Sequence, residues 1–316
     1  MTAFELDLPP LLSRSTVDRA DEIRDDTDRL IAGWPTARLV TVDHQGRYPV
    51  GDDGPRWIPA TELGGTPPAG AVLLGIRDGI DLWTLRVDEI EGEYSDLRGG
   101  GVLLDGDQAG LLGTAVAILN WHDAAGFSPV DGKPTAPERS GWVRRNTATG
   151  SLEFPRTDSA IITVVHDGGD RILLGRQASW PERWYSTLAG FVEPGESLEQ
   201  CVIREVHEEV GIDVWSPRYL GSQPWPFPRS LMLGFEATAD PDQPLAFLDG
   251  EIGDAIWFHR DEVLEALDRG DWTRPATTLS RNSATDTAGA PDARLRLPGS
   301  ISIARAMVTA WAHNGS

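Results

Sequence analysis

Three glutamates on one short helical stretch are the first chemistry the sequence offers. Leu198 to Val210 carries Arg204, Glu205, Glu208 and Glu209. At about 100° per residue, Glu205 and Glu209 lie roughly 40° apart, and Glu208 lies roughly 60° to the other side of Glu205. The three carboxylates therefore share a face. Like charges at this spacing destabilise a bare helix. A divalent cation reverses that sign. Hard Mg²⁺ or Mn²⁺ takes carboxylate oxygens and keeps positions for water and substrate phosphate. Such an ion activates water and neutralises charge developing on a phosphoryl oxygen. The other reading of the helix alone is a solvated acidic face.

The elements that must position these groups are well signalled. Ser197 is a natural N-cap with Gln200 three residues on, a capping box, and Gly211 is a natural C-terminal stop. The glycine-rich run Gly190 to Gly195 lets the preceding loop fold back, bringing Glu196 toward Arg204, which can orient the carboxylates by bidentate pairing. Upstream, Ala160 to Asp167 and Asp170 to Gln177, split by Gly168-Gly169, predict a hairpin. Downstream, strands are expected at Ser230 to Thr238 and Ala255 to His259, and helices at Asp261 to Arg269 and Ser302 to Ala312. A second motif, Ser222 to Met232, alternates Pro224, Pro226 and Pro228 with Trp225 and Phe227. Rigidly held aromatics suit stacking on a flat ring, or else plug a core.

The rest of the chain sets bounds. With 316 residues there is room for two or three domains. The net charge of −21 and pI near 4.6 argue against broad electrostatic capture of nucleic acid or an anionic membrane. One cysteine, Cys201, allows neither an internal disulfide nor a four-cysteine zinc site, and its place on the Leu198 to Val210 helix suggests a small buried hydrophobe. No basic, apolar leader is visible, and the most apolar run, Leu111 to Trp121, is too short to span a bilayer, so a cytoplasmic location without a membrane partner is expected. Residues 1–122 predict a β-rich domain, with strands at Ala37 to Asp43, Ala71 to Asp78 and Asp81 to Val87 and a helix at Leu111 to His122. Residues 123–156 predict a loop-dominated linker, 157–316 a third unit, and Arg281 to Asp292 a loop.

Gly190, Glu196, Arg204, Glu205, Val206, Glu208, Glu209, Gly211 and Ile212 match every fixed position of G-x5-E-x7-R-E-U-x-E-E-x-G-U, with U apolar. This is the Nudix box, and the chain resembles the Nudix hydrolases. The resemblance implies an α/β fold, an α/β/α sandwich, and metal-dependent cleavage of a nucleoside diphosphate linked to another group. SQPWPFPRS just after the box is similar to the signature of the NADH pyrophosphatase subfamily. There the motif, Gln223 to Ser230 with Arg229, lies in the dinucleotide site, and the enzyme is a homodimer. The same resemblance implies the Ala189 carbonyl and Glu251 as further metal ligands beside Glu205 and Glu209. It also implies substrate contacts from Phe191, Phe154 and Ala304. The implied activity is hydrolysis of NADH or NAD⁺ to AMP and nicotinamide mononucleotide, with removal of NAD caps from RNA as a second outlet.

One departure stands out. The family's paired C-x2-C motifs fall at Ser128/Asp131 and Asn146/Thr149, so no structural zinc is expected and the linker is held by packing or moves. His122, His166 and His207 suggest structural or surface roles. Arg305 and Arg229 are alternatives between phosphate contact and solvated surface. Two rival readings remain: a Nudix enzyme for another dinucleotide such as ADP-ribose, and a catalytically silent nucleotide-binding Nudix protein.

Overall fold

The computed structural model describes residues 4–247, 250–270 and 294–314. The expected Arg281 to Asp292 loop lies outside the described residues. The first part of the chain forms α1 (Thr27–Gly33), β1 (Arg38–Asp43), β2 (Arg47–Gly51), β3 (Gly54–Pro55), β4 (Ile58–Pro59), β5 (Val72–Arg77), β6 (Ile80–Val87) and β7 (Tyr94–Asp96), then α2 (Leu97–Gly100) and α3 (Gly106–Ala124). The order β4-β1-β6-β5 makes a four-stranded sheet, with β1 and β6 parallel. Alternation along its strands splits the core. Val40, Val42, Leu74 and Leu82 meet α3 on one face, and Leu39, Leu73 and Trp83 meet Trp34 on the other.

α3 is longer than its apolar run. It starts at Gly106 because Asp105 and Gln108 form a reciprocal capping box, a signal already present in the sequence. It is apolar on nearly all sides because it lies between the sheet and the Trp225–Phe227 segment.

The linker is not loop-dominated. β8 (Thr135–Glu138), β9 (Val143–Asn146) and β10 (Leu152–Glu153) pair antiparallel in the order β10-β9-β8. Its glycine- and proline-rich composition concealed the strands. They are short and are held by side chains such as Arg144, which donates to the Thr135 hydroxyl (2.7 Å) and carbonyl (2.8 Å). The four positions aligned with zinc ligands are joined by hydrogen bonds instead. Asn146 Nδ2 donates to both carboxylate oxygens of Asp131 (2.9 and 3.0 Å), and its Oδ1 accepts from the backbone N–H of Ala148 (2.9 Å) and Thr149 (3.1 Å). Ser128 Oγ accepts from Val130 N–H at 3.2 Å. With the Asn146 amide aimed at Asp131, this donor set does not fit a tetrahedral thiolate-type metal site. The N–H groups of the Asp131 partners hold its carboxyl below the usual carboxylate range, Lys133 N–H foremost.

The third unit is built from β11 (Asp158–His166), β12 (Arg171–Gln177), β13 (Leu188–Phe191), α4 (Leu198–Val210), β14 (Val214–Trp225), β15 (Ser230–Ala239), β16 (Ile252–His259), α5 (Arg260–Asp268) and α6 (Ile303–His313). Its mixed sheet runs β14-β15-β11-β12-β16, with β13 also paired to β11 and with β11 and β15 parallel. Ile161 and Val165 face α4, whereas Ile162 and Val164 face α6, which gives the expected α/β/α sandwich. Arg260 ties the far layer together. Its guanidinium lies 4.2 Å from the Trp311 ring centroid and donates to the carbonyls of Trp311, Ala312 and Gly169.

The chain's first described residues belong to this unit, not to the N-terminal sheet. Phe4 is buried beside Ile162 and Val164 with Leu6 packed alongside, and Arg218 donates to the Phe4 carbonyl and to Glu5 while pairing with Glu236. His166 faces Glu236 at 3.5 Å, and His122 donates from Nε2 to Gly141 O (2.7 Å) and accepts at Nδ1 from Arg144 (2.9 Å), so both histidines serve structure. No helix among the described residues is long and apolar enough to cross a membrane.

Asn146→Ala should unseat Asp131 and leave two backbone N–H groups without partners, costing about 1–3 kcal/mol. Thermal melts should record that loss, and a zinc chelator should leave the melting curve of the unaltered protein unchanged.

Candidate active site

α4 spans Leu198–Val210, as the caps dictate: Ser197 accepts from Gln200 N–H, Gln200 answers to the Ser197 backbone, and Gly211 turns left-handed at φ 75°. Its apolar face, Cys201, Val202, Val206 and Val210, seats on Ile161, Leu173 and Phe235 of the sheet. The polar face carries the chemistry.

Arg204 is the centre of that face. Its Nε and Nη2 clasp the two oxygens of Glu196 at 3.1 and 2.6 Å. Its Nη1 donates to Glu205 Oε1 and Glu208 Oε2, each at 2.9 Å, and Nη2 also reaches the Phe191 carbonyl at 2.9 Å. One guanidinium therefore pins the glycine-rich loop to the helix and gathers two carboxylates. Glu196 accepts Glu193 N–H as well (2.7 Å). Arg204, with that backbone bond behind it, pulls the Glu196 carboxyl down to about 2 from its ordinary 4.5. The Arg204 guanidinium is raised in turn, chiefly by Glu196. Burial acts the other way on Glu205 and lifts its carboxyl above the usual range.

The approach of loop to helix requires glycine at one point. A Cβ on Gly190 would lie 1.9 Å from the Glu205 carboxyl carbon, so this carboxylate lies directly against the β13 backbone beside Ala189. Glu209 is 4% exposed at the inner margin of the helix, whereas the Glu208 side chain is half exposed. Burial pushes the Cys201 thiol up to about 12, and its Sγ faces the Phe191 carbonyl at 3.5 Å, so it is a packed hydrophobe and not a nucleophile.

The other residues singled out from sequence divide into two groups. Phe154, next to β10, and Phe191, at the end of β13, are more than half exposed. Glu251 comes from outside α4. It sits at the start of the β16 edge and accepts from Gln177 Nε2 at 3.1 Å, and no cluster of three acidic or metal-ligating side chains is preassembled among the described residues. Gln223 is wholly buried and donates to Ile301 O at 2.7 Å. Pro224 and Trp225 end β14 opposite Leu231 and Ser230. Trp225 and Phe227 turn their rings onto the N-terminal core, edge to face at 5.0 Å, away from the glutamates. Arg229 pairs with Asp158 at 2.8 Å, and Arg305 donates to Leu267 O and Gly270 O. Ala304 is buried in the α6 core, so only its backbone can face a ligand. His207 lies at the surface, 3.4 Å from Asp213.

Asn120 is the residue that sequence reasoning missed. From α3 its Nδ2 donates to both Pro226 O and Pro228 O, each at 3.2 Å, and so fixes the turn of the second motif. A lone asparagine on a helix remote in sequence carries no signal of this.

The NUDIX domain family matches residues 155–279. The chain is 50% identical to the NAD-capped RNA hydrolase NudC of Mycobacterium bovis over 98% of this chain and 96% of that protein. It is 42% identical to the human mitochondrial NAD(P)H pyrophosphatase NUDT13, over 59% of this chain and 53% of that one. A NUDIX hydrolase from Nitrosomonas europaea of known structure matches 43% of this chain and 78% of its own at 18% identity, with a TM-score of 0.37. The chain belongs to the Nudix hydrolases, and within them to the NADH pyrophosphatase subfamily.

Two outcomes test the geometry. Gly190→Ala should displace Glu205 and lower hydrolytic activity about 10- to 100-fold while the protein stays folded. The Glu196 clasp should be complete above pH 4.5, because its carboxyl is depressed in the folded state, and should be lost as pH falls toward 2. The amide shift of Glu193, followed by NMR against pH, reads that release directly.

Proposed function

We propose that the protein hydrolyses the pyrophosphate bond of NADH and NAD⁺, releasing AMP and nicotinamide mononucleotide, and removes NAD caps from the 5′ ends of RNA. The observation that carries this reading is the intact network of Arg204 with Glu196, Glu205 and Glu208, in a chain that matches an NAD-capped RNA hydrolase over nearly its whole length. An uneroded box with an assembled arginine clamp argues against a silent nucleotide binder. The complete SQPWPFPRS segment argues against ADP-ribose as the preferred substrate.

Nudix hydrolases use divalent ions, and the donor set here suits Mg²⁺ or Mn²⁺: hard carboxylate oxygens on one helix face, more than one arginine can neutralise. Glu205 and Glu209 would hold the ion, assisted by Glu208 and the Ala189 carbonyl. Glu251, which the family resemblance implies as a further ligand, would complete the set. When bound, the ion supplies charge neutralisation at the pyrophosphate and an acidified water. The chain's own part is positioning. Arg204 keeps Glu205 and Glu208 aimed, and Glu196 holds the loop so that Phe191 offers its ring at the rim. Phe191 and Phe154 are the aromatic surfaces on which the nicotinamide or adenine ring would stack. Gln223, Ser230 and the Ala304 backbone stand at the sheet end nearest them. We further read the protein as a cytoplasmic homodimer.

Product analysis with NADH and Mg²⁺ is the direct test. The unaltered protein should yield AMP, and Glu209→Gln should be slower by at least about 100-fold. Absence of AMP, or equal rates for the two proteins, refutes the mechanism. A competition at equal concentrations of NADH, NAD⁺ and ADP-ribose that favours ADP-ribose refutes the substrate.

A further inference from the structure

A second cleft, of about 280 Å³, lies where the turn of the aromatic motif meets the N-terminal sheet. One wall is the β1–β2 turn, His44 to Gly46, with Arg98 of α2; the floor is Val116 and Asn120 of α3; the other wall is Pro226 to Pro228. Its volume suits one planar ring with its sugar, at the low end of small-ligand sites. Three features point to what that ring is.

The cleft contains a stacking surface. The Arg98 guanidinium lies 4.4 Å from the Phe227 ring centroid, and Trp225 meets that ring edge to face at 5.0 Å and 81°. Such arginine–aromatic pairs stack bases of single-stranded nucleic acid without regard to sequence. The lining also holds no carboxylate, although the chain carries 49 Asp and Glu residues. The acids beside its walls are engaged: Asp43 accepts from Gln45 N–H at 2.9 Å and pairs with Arg47, Asp123 pairs with Arg86 at 2.8 Å, and Asp88 and Asp123 stand against His44 (3.7 and 3.3 Å). An anionic strand can therefore approach this part of an otherwise repulsive surface. Finally, the turn leads directly into Ser230, which pairs with Asp158, and β11 in turn pairs with β13, which ends at Phe191. Two strand spacings, about 10 Å, separate the turn's strand from the strand bearing that exposed ring.

We infer that this cleft binds a nucleotide of the RNA body just downstream of the NAD cap, its base stacked on the Arg98–Phe227 pair. The inference rests on the cap-removal reading above. The cleft adds affinity for capped RNA and none for free dinucleotide. Asn120 holds the wall by its two bonds to the turn, and Gln45, whose Oε1 accepts from Arg47 at 3.1 Å, keeps its amide N–H groups for the base edge.

The test compares the full-length protein with Arg98→Ala, Arg98→Lys and Gln45→Ala on two substrates, NADH and a short single-stranded 5′-NAD-capped RNA. Arg98→Ala should raise KM for the capped RNA about 10-fold at unchanged kcat, and leave NADH kinetics within about twofold. Arg98→Lys, which keeps the charge and loses the planar stack, should not restore KM. Gln45→Ala should produce a smaller rise. Equal effects on both substrates, full rescue by lysine, or no change in KM for RNA would each overturn the inference. Binding of a 5′-monophosphorylated single-stranded RNA, followed by fluorescence anisotropy, reads the cleft apart from hydrolysis. If the unaltered protein cleaves NADH but not capped RNA, the cap-removal reading fails. If it also binds the monophosphorylated RNA no better than Arg98→Ala does, the cleft assignment fails with it.

Discussion

A single guanidinium holds the catalytic surface together. Three glutamates on one helix face repel each other, and the loop before them is rich in glycine and has little side-chain packing of its own. Arg204 answers both problems with one rigid fork. It fastens Glu196, and with it the loop, and it balances Glu205 and Glu208. Lysine could not do this, because a point charge cannot hold four acceptors in fixed directions. The remaining structure serves that contact: the capped helix sets the angle, the apolar face of α4 sets the depth, and Gly190 leaves room for Glu205.

The box was legible because its signals are local. Ser197, Gln200 and Gly211 mark the ends of α4, and the pairing of Glu196 with Arg204 follows from a foldback that the glycines permit. The hairpin and the strands after it followed from period-two patterning. What sequence could not supply was anything set by remote contact. Trp225 and Phe227 looked ready to receive a ligand, yet α3 and its neighbours cover much of their surface, and a residue more than a hundred positions upstream, Asn120, fixes their turn. Glu251 was named only by family resemblance; it precedes β16, a strand that packs on α4, and no local signal in the sequence marks it. The start of α3 was readable from Asp105 and Gln108 and was obscured by the glycines between Asp105 and Leu111.

The linker shows how a metal's geometric work can pass to amide chemistry. Two turns that would present sulfur to a cation instead present a carboxylate and a carboxamide to each other. The Asn146 oxygen accepts the same kind of backbone N–H groups that a knuckle's ligand atom must satisfy. Composition alone misjudged this region, because its order depends on a few buried polar pairs and not on apolar area. Since β10 ends next to Phe154, that polar pair also bears on where the exposed ring stands.

The N-terminal segment gives the two-part architecture a different meaning. Phe4 and Leu6 lie on the outer face of the catalytic sheet, and Arg218 holds their backbone there. The catalytic unit is thus discontinuous in sequence: a piece beginning at residue 157 lacks part of its own core. Phe4 and Leu6 precede β14 and α6 in the sequence, so during synthesis they have no place to pack until both elements have been made. The whole N-terminal sheet lies between them in sequence, so the catalytic core closes only after the chain has passed through the other unit.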